Sequence, residues 1–299
     1  MSVLEAFAAD SAWPLWDDEA FDGAFEIDLP GGVIDQGVVS KVTRPWLFGY
    51  KPTTASNGRA VLVLGGGGYV ELMAGKEGVT VARWLASLGF EAFVLVHRFP
   101  TAATGPQAPV DDARQALRLI ESKASPANGL GLCGLSSGGH LASALLAEYP
   151  SSWASTAGAP VPKPNFAIIG YGPISTNAKG HTIIPNKAPL EPPAKQELYD
   201  TVIPDQQLAS PAPPTFIVYS ANDPIVPVVN AYRLAQAIPA AGGTVELHIY
   251  ADAPHGFALD TKDLPVSDWP SACQSWLEQG EIVKKQDLIE KMKAVDIAK

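Results

Sequence analysis

Gly134-Leu135-Ser136-Ser137-Gly138 reads G-x-S-x-G and lies between an apolar run, Gly129 to Cys133, and a helix-forming run, Gly139 to Glu148. A serine hydroxyl is a weak nucleophile near neutral pH. It becomes effective when a base takes its proton and a third group orients that base. A sharp strand-to-helix turn exposes such a serine at the carboxyl end of a strand. It also places the oxygen above a helix amino end, whose dipole favours developing negative charge. Small flanking residues follow, because a side chain at either glycine would meet the adjoining strand or helix. In a chain with 27 glycines the pentapeptide alone is weak. The order strand, turn, helix strengthens it.

The base and the acid are expected after later strands. Ser220-Ala221-Asn222-Asp223-Pro224 follows the apolar run Thr215 to Tyr219, and Ala253-Pro254-His255-Gly256-Phe257 follows shortly after Val245 to Tyr250. Ser136, Asp223 and His255 therefore stand in the chain order Ser, Asp, His of α/β-hydrolases. Asp252, three residues before His255, is the competing acid, but Asp223 has a strand before it and turn-forming neighbours. Among the other histidines, His140 is one helical turn beyond Ser136, and His248 lies inside a strand. His181 and His97 are placed to touch a substrate rather than to serve as base.

Gly65-Gly66-Gly67-Gly68-Tyr69 follows the run Ala60 to Leu64. Backbone N–H groups converge on an anion only where no side chain blocks approach. Gly67 and Gly68, with the Ser137 N–H, are the expected oxyanion donors, although a tight turn alone would also use glycines. A nucleotide fingerprint fails: the sixth position is Val70 counted from Gly65 and Glu71 counted from Gly66. The Walker spacing fails too, with Val70 where a glycine is needed and Glu77 after Gly75-Lys76.

The elements that must position these residues alternate along the chain. Ala60 to Leu64, Glu91 to Val96, Gly129 to Cys133, Ala167 to Tyr171, Thr215 to Tyr219 and Val245 to Tyr250 read as strands, most of them continuously apolar. Helical patterns cover Glu77 to Leu88, Val110 to Ser122, Gly139 to Glu148, Val228 to Ala237 and Ser271 to Leu277. Strand and helix in turn predict a mostly parallel sheet of about eight strands with helices on both faces. Val38 to Lys51 supplies one or two antiparallel edge strands. The first 30 residues show no regular pattern, and Lys284 to Lys299 reads as a charged surface helix. The proline-rich segment Ile174 to Pro214 breaks the alternation and holds one short helix, Lys195 to Thr201. It reads either as a long surface connection or as a cap shaping the pocket. A single domain over residues 1–299 is expected, with 174–214 as an insert beside the site.

With 46% hydrophobic and 17% charged residues in 299, a large core is available, and the net charge of −10 argues against nucleic acid or an anionic membrane as partner. No apolar run is long enough to span a bilayer. Met1 to Asp10 is acidic and lacks a basic-then-apolar leader, so the chain as written is expected in the cytoplasm; a secreted protein stripped of its leader would look the same. Cys133 and Cys273 are expected as buried thiols without a disulfide or metal role.

With these residues in view, the chain resembles the acetyl esterase/lipase branch of the α/β-hydrolases, and most of all bacterial carbohydrate acetylesterases of the acetylxylan-esterase type. The resembling stretches are Gly66 to Tyr69, Lys76-Glu77-Gly78, Cys133 to Leu141, Ser210-Pro211, Pro213 to Phe216, Asn222-Asp223-Pro224, Val226-Pro227 and His255-Gly256-Phe257. Gly65 stands where relatives carry His or Pro, and Ser137 where Ala is usual. The resemblance implies deacetylation of small sugars or oligosaccharides, or hydrolysis of other short-chain esters, with no metal or organic cofactor. Tyr69, Glu71, His97, Tyr171 and Ile225, all near strand ends, are the candidates to line the substrate pocket. A general short-chain carboxylesterase or formamidase-like enzyme is the alternative within enzymes. A non-catalytic ligand receptor is the alternative outside them, and the intact Ser136, Asp223 and His255 argue against it.

Overall fold

The computed structural model describes residues 3–16, 23–154, 160–280 and 282. Ten strands follow in chain order: β1 Ser11–Pro14, β2 Glu26–Asp28, β3 Val38–Ser40, β4 Trp46–Tyr50, β5 Ala60–Leu64, β6 Glu91–Val96, β7 Leu130–Leu135, β8 Phe166–Gly170, β9 Thr215–Ser220 and β10 Val245–Tyr250. The helices are α1 Val3–Phe7, α2 Thr80–Ser87, α3 Ala108–Lys123, α4 Ser137–Ala144, α5 Pro193–Thr201, α6 Pro204–Gln207, α7 Val229–Ala240 and α8 Trp269–Gln279. Eight strands form one sheet in the order β1-β4-β6-β5-β7-β8-β9-β10, while β2 and β3 form a separate ribbon. The β1–β4 and β4–β6 pairs are antiparallel, and every pair from β6 to β10 is parallel. This is the α/β-hydrolase architecture.

Burial explains the continuous apolar runs. Every residue of β5, β7, β8 and β9 is buried, as expected where helices cover both faces. The edge strand β10 is only half-buried, and it alternates polar residues, Glu246 and His248, with apolar ones.

The structure differs from the sequence pattern at four places, the first being a second helix in the segment 174–214, α6 Pro204–Gln207, where one was expected. The expected helix from Glu77 begins instead as a π-helical turn, Ala74–Val79, before α2. The expected helix to Glu148 stops at Ala144, because the chain beyond it pairs with the insert: Glu148 N–H donates to Gln207 O at 2.7 Å and Ala209 N–H to Leu146 O at 2.8 Å. The first 30 residues do contain elements. Phe7 stacks on Phe48 with ring centroids 3.8 Å apart, and the Tyr50 hydroxyl donates to Phe7 O at 2.8 Å, holding α1 and β1 on the antiparallel edge. Such short segments carry no legible period, and tertiary contacts fix them. The helix expected over Lys284 to Lys299 lies outside the described residues.

Leu132, fully buried on the central strand β7, gives a test of this core. Leu132→Ala is expected to lower unfolding free energy by about 2–5 kcal/mol, the usual cost of a transfer term plus a cavity. Urea denaturation followed by circular dichroism measures it; a loss below about 1 kcal/mol would contradict a close-packed centre at this position.

Candidate active site

The turn between β7 and α4 holds Ser136 at φ 53° and ψ −126°, a conformation that costs a non-glycine residue about 1–3 kcal/mol. Its neighbours hold it there. Ser136 N–H donates to Gly170 O at 2.9 Å, and Ser136 O accepts from Gly139 N–H at 2.8 Å. The helix can come this close only because of Gly138, where a β-carbon would lie 2.0 Å from Leu64 O. The result is a serine oxygen at the carboxyl end of the central strand, at the first turn of α4.

The loops after β9 and β10 bring two side chains to it. Ser136 Oγ lies 2.9 Å from His255 Nε2, and His255 Nδ1 lies 2.7 Å from Asp223 Oδ2. A carboxylate facing Nδ1 puts the ring proton there and leaves Nε2 to accept from the serine hydroxyl. The other carboxylate oxygen, Asp223 Oδ1, accepts from Ile225 N–H at 2.8 Å and Val226 N–H at 2.9 Å. Both oxygens are thus engaged in a side chain with no exposed surface. Asp252 takes no part: it is exposed and accepts from Asn222 Nδ2 at 2.6 Å. Its role is to join the β9 and β10 loops, together with Ser220 Oγ, which accepts from Ala253 N–H at 2.9 Å.

The glycine loop after β5 turns beside Ser136. Gly67 and Gly68 sit at φ 129° and 64°, in the region that favours glycine. Among the described residues the Gly67 amide meets no acceptor, and the Ser137 amide, at the start of α4, has no carbonyl one turn back. Gly68 differs. Its N–H donates to Ser137 Oγ at 2.9 Å, so the Ser137 hydroxyl occupies one expected oxyanion donor.

Three of the expected pocket residues face inward instead. Tyr69, His97 and Tyr171 are 1%, 1% and 0% exposed, which leaves them no surface to offer a substrate. The Tyr69 hydroxyl donates to His140 Nδ1 at 2.8 Å, and His140 Nε2–H donates to Val202 O at 3.0 Å. Burial lowers the His140 pKa to about 4 and keeps this bridge neutral. It ties the oxyanion loop and α4 to the insert, whose Tyr199 ring lies 4.6 Å from His140. His97 Nδ1–H donates to Arg98 O at 2.8 Å. Of the five candidates, Ile225 is 66% exposed and Glu71 is half-buried.

Comparison with known proteins fits this geometry. Residues 105–279, more than half of the chain and including Ser136, Asp223 and His255, match the prolyl oligopeptidase family, Peptidase_S9. The chain belongs to that family. It is 30% identical over 216 residues to an acetylxylan esterase of Xylanibacter ruminicola, covering 69% of this chain and 42% of the relative. It is 28% identical over 206 residues to endo-1,4-beta-xylanase B of Butyrivibrio fibrisolvens, covering 65% of this chain and 32% of that protein. The chain thus spans less than half the length of these two relatives. Among solved structures, an acetyl ester-xyloside bifunctional hydrolase of Caldicellulosiruptor lactoaceticus is 27% identical, with a TM-score of 0.68 over 92% of this chain and 98% of that one. An esterase of Thermogutta terrifontis, 20% identical with a TM-score of 0.68 over 89% and 95% of the two chains, shares the fold.

In this family member a buried acid also reaches the site. Glu77, 2% exposed in the π-helical turn, accepts from Gly66 N–H at 2.7 Å through Oε2 and from the Tyr171 hydroxyl at 3.0 Å through Oε1. The Tyr171 hydroxyl in turn accepts from Ala258 N–H at 3.2 Å, and the Tyr171 ring meets the His255 ring edge-on at 5.3 Å. One carboxylate therefore joins the glycine loop to the loop that carries His255. Burial raises its pKa above the usual carboxyl range, while the Gly66 amide, the Tyr171 hydroxyl and the charges of His255 and Lys76 pull it back. Sequence reasoning passed over Glu77 because a carboxylate in an amphipathic run reads as a solvated face. The signal was its place in Lys76-Glu77-Gly78, just after the glycine loop. Among the described residues no cluster of His, Cys, Asp or Glu is arranged to hold a metal ion.

Two outcomes follow from this geometry. Asp223→Asn is expected to lower kcat by several orders of magnitude, since an amide can hold the imidazole in the wrong tautomer, while Asp252→Asn costs far less; measured turnover in the opposite order would move the acid to Asp252. Glu77→Gln presents an amide N–H₂ to one of two donors and removes a negative charge near His255. It is expected to cost about 1–3 kcal/mol of stability and to move the low-pH limb of the kcat/KM profile to lower pH, because a lost anion disfavours imidazolium. An unmoved limb would separate Glu77 from the base.

Proposed function

We propose that this chain is a serine esterase that removes acetyl and other short acyl groups from carbohydrates. The observation that carries the reading is the hydrogen-bonded line from Asp223 through His255 to Ser136, 2.7 and 2.9 Å long, at the strand ends of this fold. The acetylxylan esterase relative supports the ester and the carbohydrate. So does the acetyl ester-xyloside hydrolase, which matches almost end to end.

In the proposed reaction Ser136 Oγ attacks the ester carbonyl carbon as its proton passes to His255 Nε2. Asp223 holds the ring and stabilises the imidazolium that forms. The carbonyl oxygen gains negative charge and accepts from the Gly67 and Ser137 amides. These donors are fixed in advance and need no reorganisation. Gly68 joins them if its N–H turns from Ser137 Oγ to the stronger, charged acceptor. His255 then gives its proton to the departing alcohol oxygen as the C–O bond breaks, leaving acetyl-Ser136. Water, deprotonated by His255, attacks the acetyl carbon. The intermediate collapses as His255 returns the proton to Ser136 Oγ, and acetic acid leaves and loses its own proton to solvent.

Ser136→Ala is expected to abolish ester hydrolysis while the protein stays folded, since the turn serine contributes little packing and the variant removes only the nucleophile. In the wild type, acetyl and propionyl esters are expected to be cleaved well and chains beyond about six carbons poorly. Each methylene gains about 0.8 kcal/mol only where it finds apolar surface. Rates on 4-nitrophenyl esters that climb steadily to ten carbons would indicate a lipase-like groove and overturn the acetyl preference. An unlabelled Ser136 after treatment with a phosphonate probe would favour a non-catalytic receptor.

A further inference from the structure

The insert sends one cation to the mouth of the site. Lys195 lies in the first turn of α5, and its Nζ comes within 3.8 Å of where a β-carbon on Gly68 would stand. The Gly68 amide in turn bonds the hydroxyl of Ser137, next to the nucleophile, at 2.9 Å. The ammonium therefore lies beside the glycine loop that adjoins Ser136.

Its surroundings set it apart from the neighbouring lysines. Lys76 is paired with Asp260 at 3.0 Å and Lys179 with Asp200 at 3.3 Å. Lys187 Nζ donates to Thr176 O at 3.3 Å and to Asn177 Oδ1. Among the described residues Lys195 Nζ meets no carboxylate and no carbonyl, in a chain where 31 acids outnumber 21 bases. It is half-buried, and both that burial and the charge of Lys187 work against its ammonium form. The helix that carries it is firmly held. The adjacent Gln196 accepts from Leu190 N–H at 2.9 Å and donates to Asn177 O at 3.0 Å and Asp200 Oδ1 at 2.8 Å, and Leu198 and Tyr199 are buried against the core. A partly desolvated cation on a firmly held helix, with no compensating acid, is suited to pair with an anionic group of a ligand.

We propose that Lys195 recognises a carboxylate on the alcohol portion of the ester, so that the enzyme prefers acetylated sugar acids to their neutral counterparts. The inference rests on the esterase reading above. The net charge of −10 does not cancel it: at physiological salt, exposed charges farther than about 8 Å are largely screened, whereas an ammonium in contact with the substrate is not.

The test compares kcat/KM within matched pairs: 3- and 4-acetoxybenzoate against their methyl esters, and an acetylated hexuronic acid against its methyl ester. The acid-to-ester ratio is measured for wild type, Lys195→Gln, Lys195→Arg and Lys41→Gln, the last an exposed lysine already paired with Glu26. Lys195→Gln is expected to lower the ratio about three- to tenfold, the range of a partly exposed charge-assisted contact. Lys195→Arg is expected to preserve it, and salt is expected to lower the wild-type ratio. A ratio unchanged in Lys195→Gln, or an equal fall in Lys41→Gln, overturns the proposal. Cleavage of the aryl pairs without the sugar pair overturns the carbohydrate reading and leaves the aryl ratio to decide the role of Lys195. If the wild type cleaves no ester at all, the esterase reading falls and this inference falls with it.

Discussion

The site depends on one strained residue. Ser136 occupies a backbone region that costs a non-glycine side chain about 1–3 kcal/mol, and that cost is met by the packing of α4 against the sheet. The contact is close enough that only glycine fits at 138, against the carbonyl of Leu64. Because β5 and β7 are neighbours in register, the same closeness brings the glycine loop after β5 beside the serine after β7. Ser136 and the candidate oxyanion donors are thus positioned by a single interstrand relation rather than by two independent loops.

A second layer keeps the loops from moving apart. The Glu77 carboxylate spans the Gly66 amide and the Tyr171 hydroxyl, and Tyr171 in turn supports the loop that carries His255. The Tyr69–His140–Val202 bridge does the same between the glycine loop, α4 and the insert. Both are buried polar connections in which each donor meets an acceptor, the condition under which such networks rigidify rather than destabilise. The aromatic residues Tyr69 and Tyr171 near the strand ends therefore brace the loops around Ser136 and His255, while Ile225 remains exposed.

The insert thereby acquires a physical role. Its apolar residues Leu198, Tyr199 and Val202 are buried, so it is docked on the core rather than draped over it. A docked segment can hold Lys195 over the oxyanion loop at little entropic cost on binding.

The sequence by itself determined the alternation of strands and helices over most of the chain and the turn at Ser136, and it put Asp223 and His255 after successive strands with Asp252 as the competing acid. These features are local or follow chain order: apolar runs of strand length, glycines where the backbone must approach closely, and loops that leave the same end of a parallel sheet. Tertiary structure alone decided the rest. It turned Tyr69, His97 and Tyr171 inward, because burial depends on what packs over a residue and not on its distance from a strand end. It halted α4 at Ala144, because residues 146–148 found partners in the insert some sixty positions later. It brought the Glu77 carboxylate to Gly66 and Tyr171 and the Lys195 ammonium beside Gly68, because a buried carboxylate and an unpaired ammonium are defined by neighbours brought together only in the folded chain.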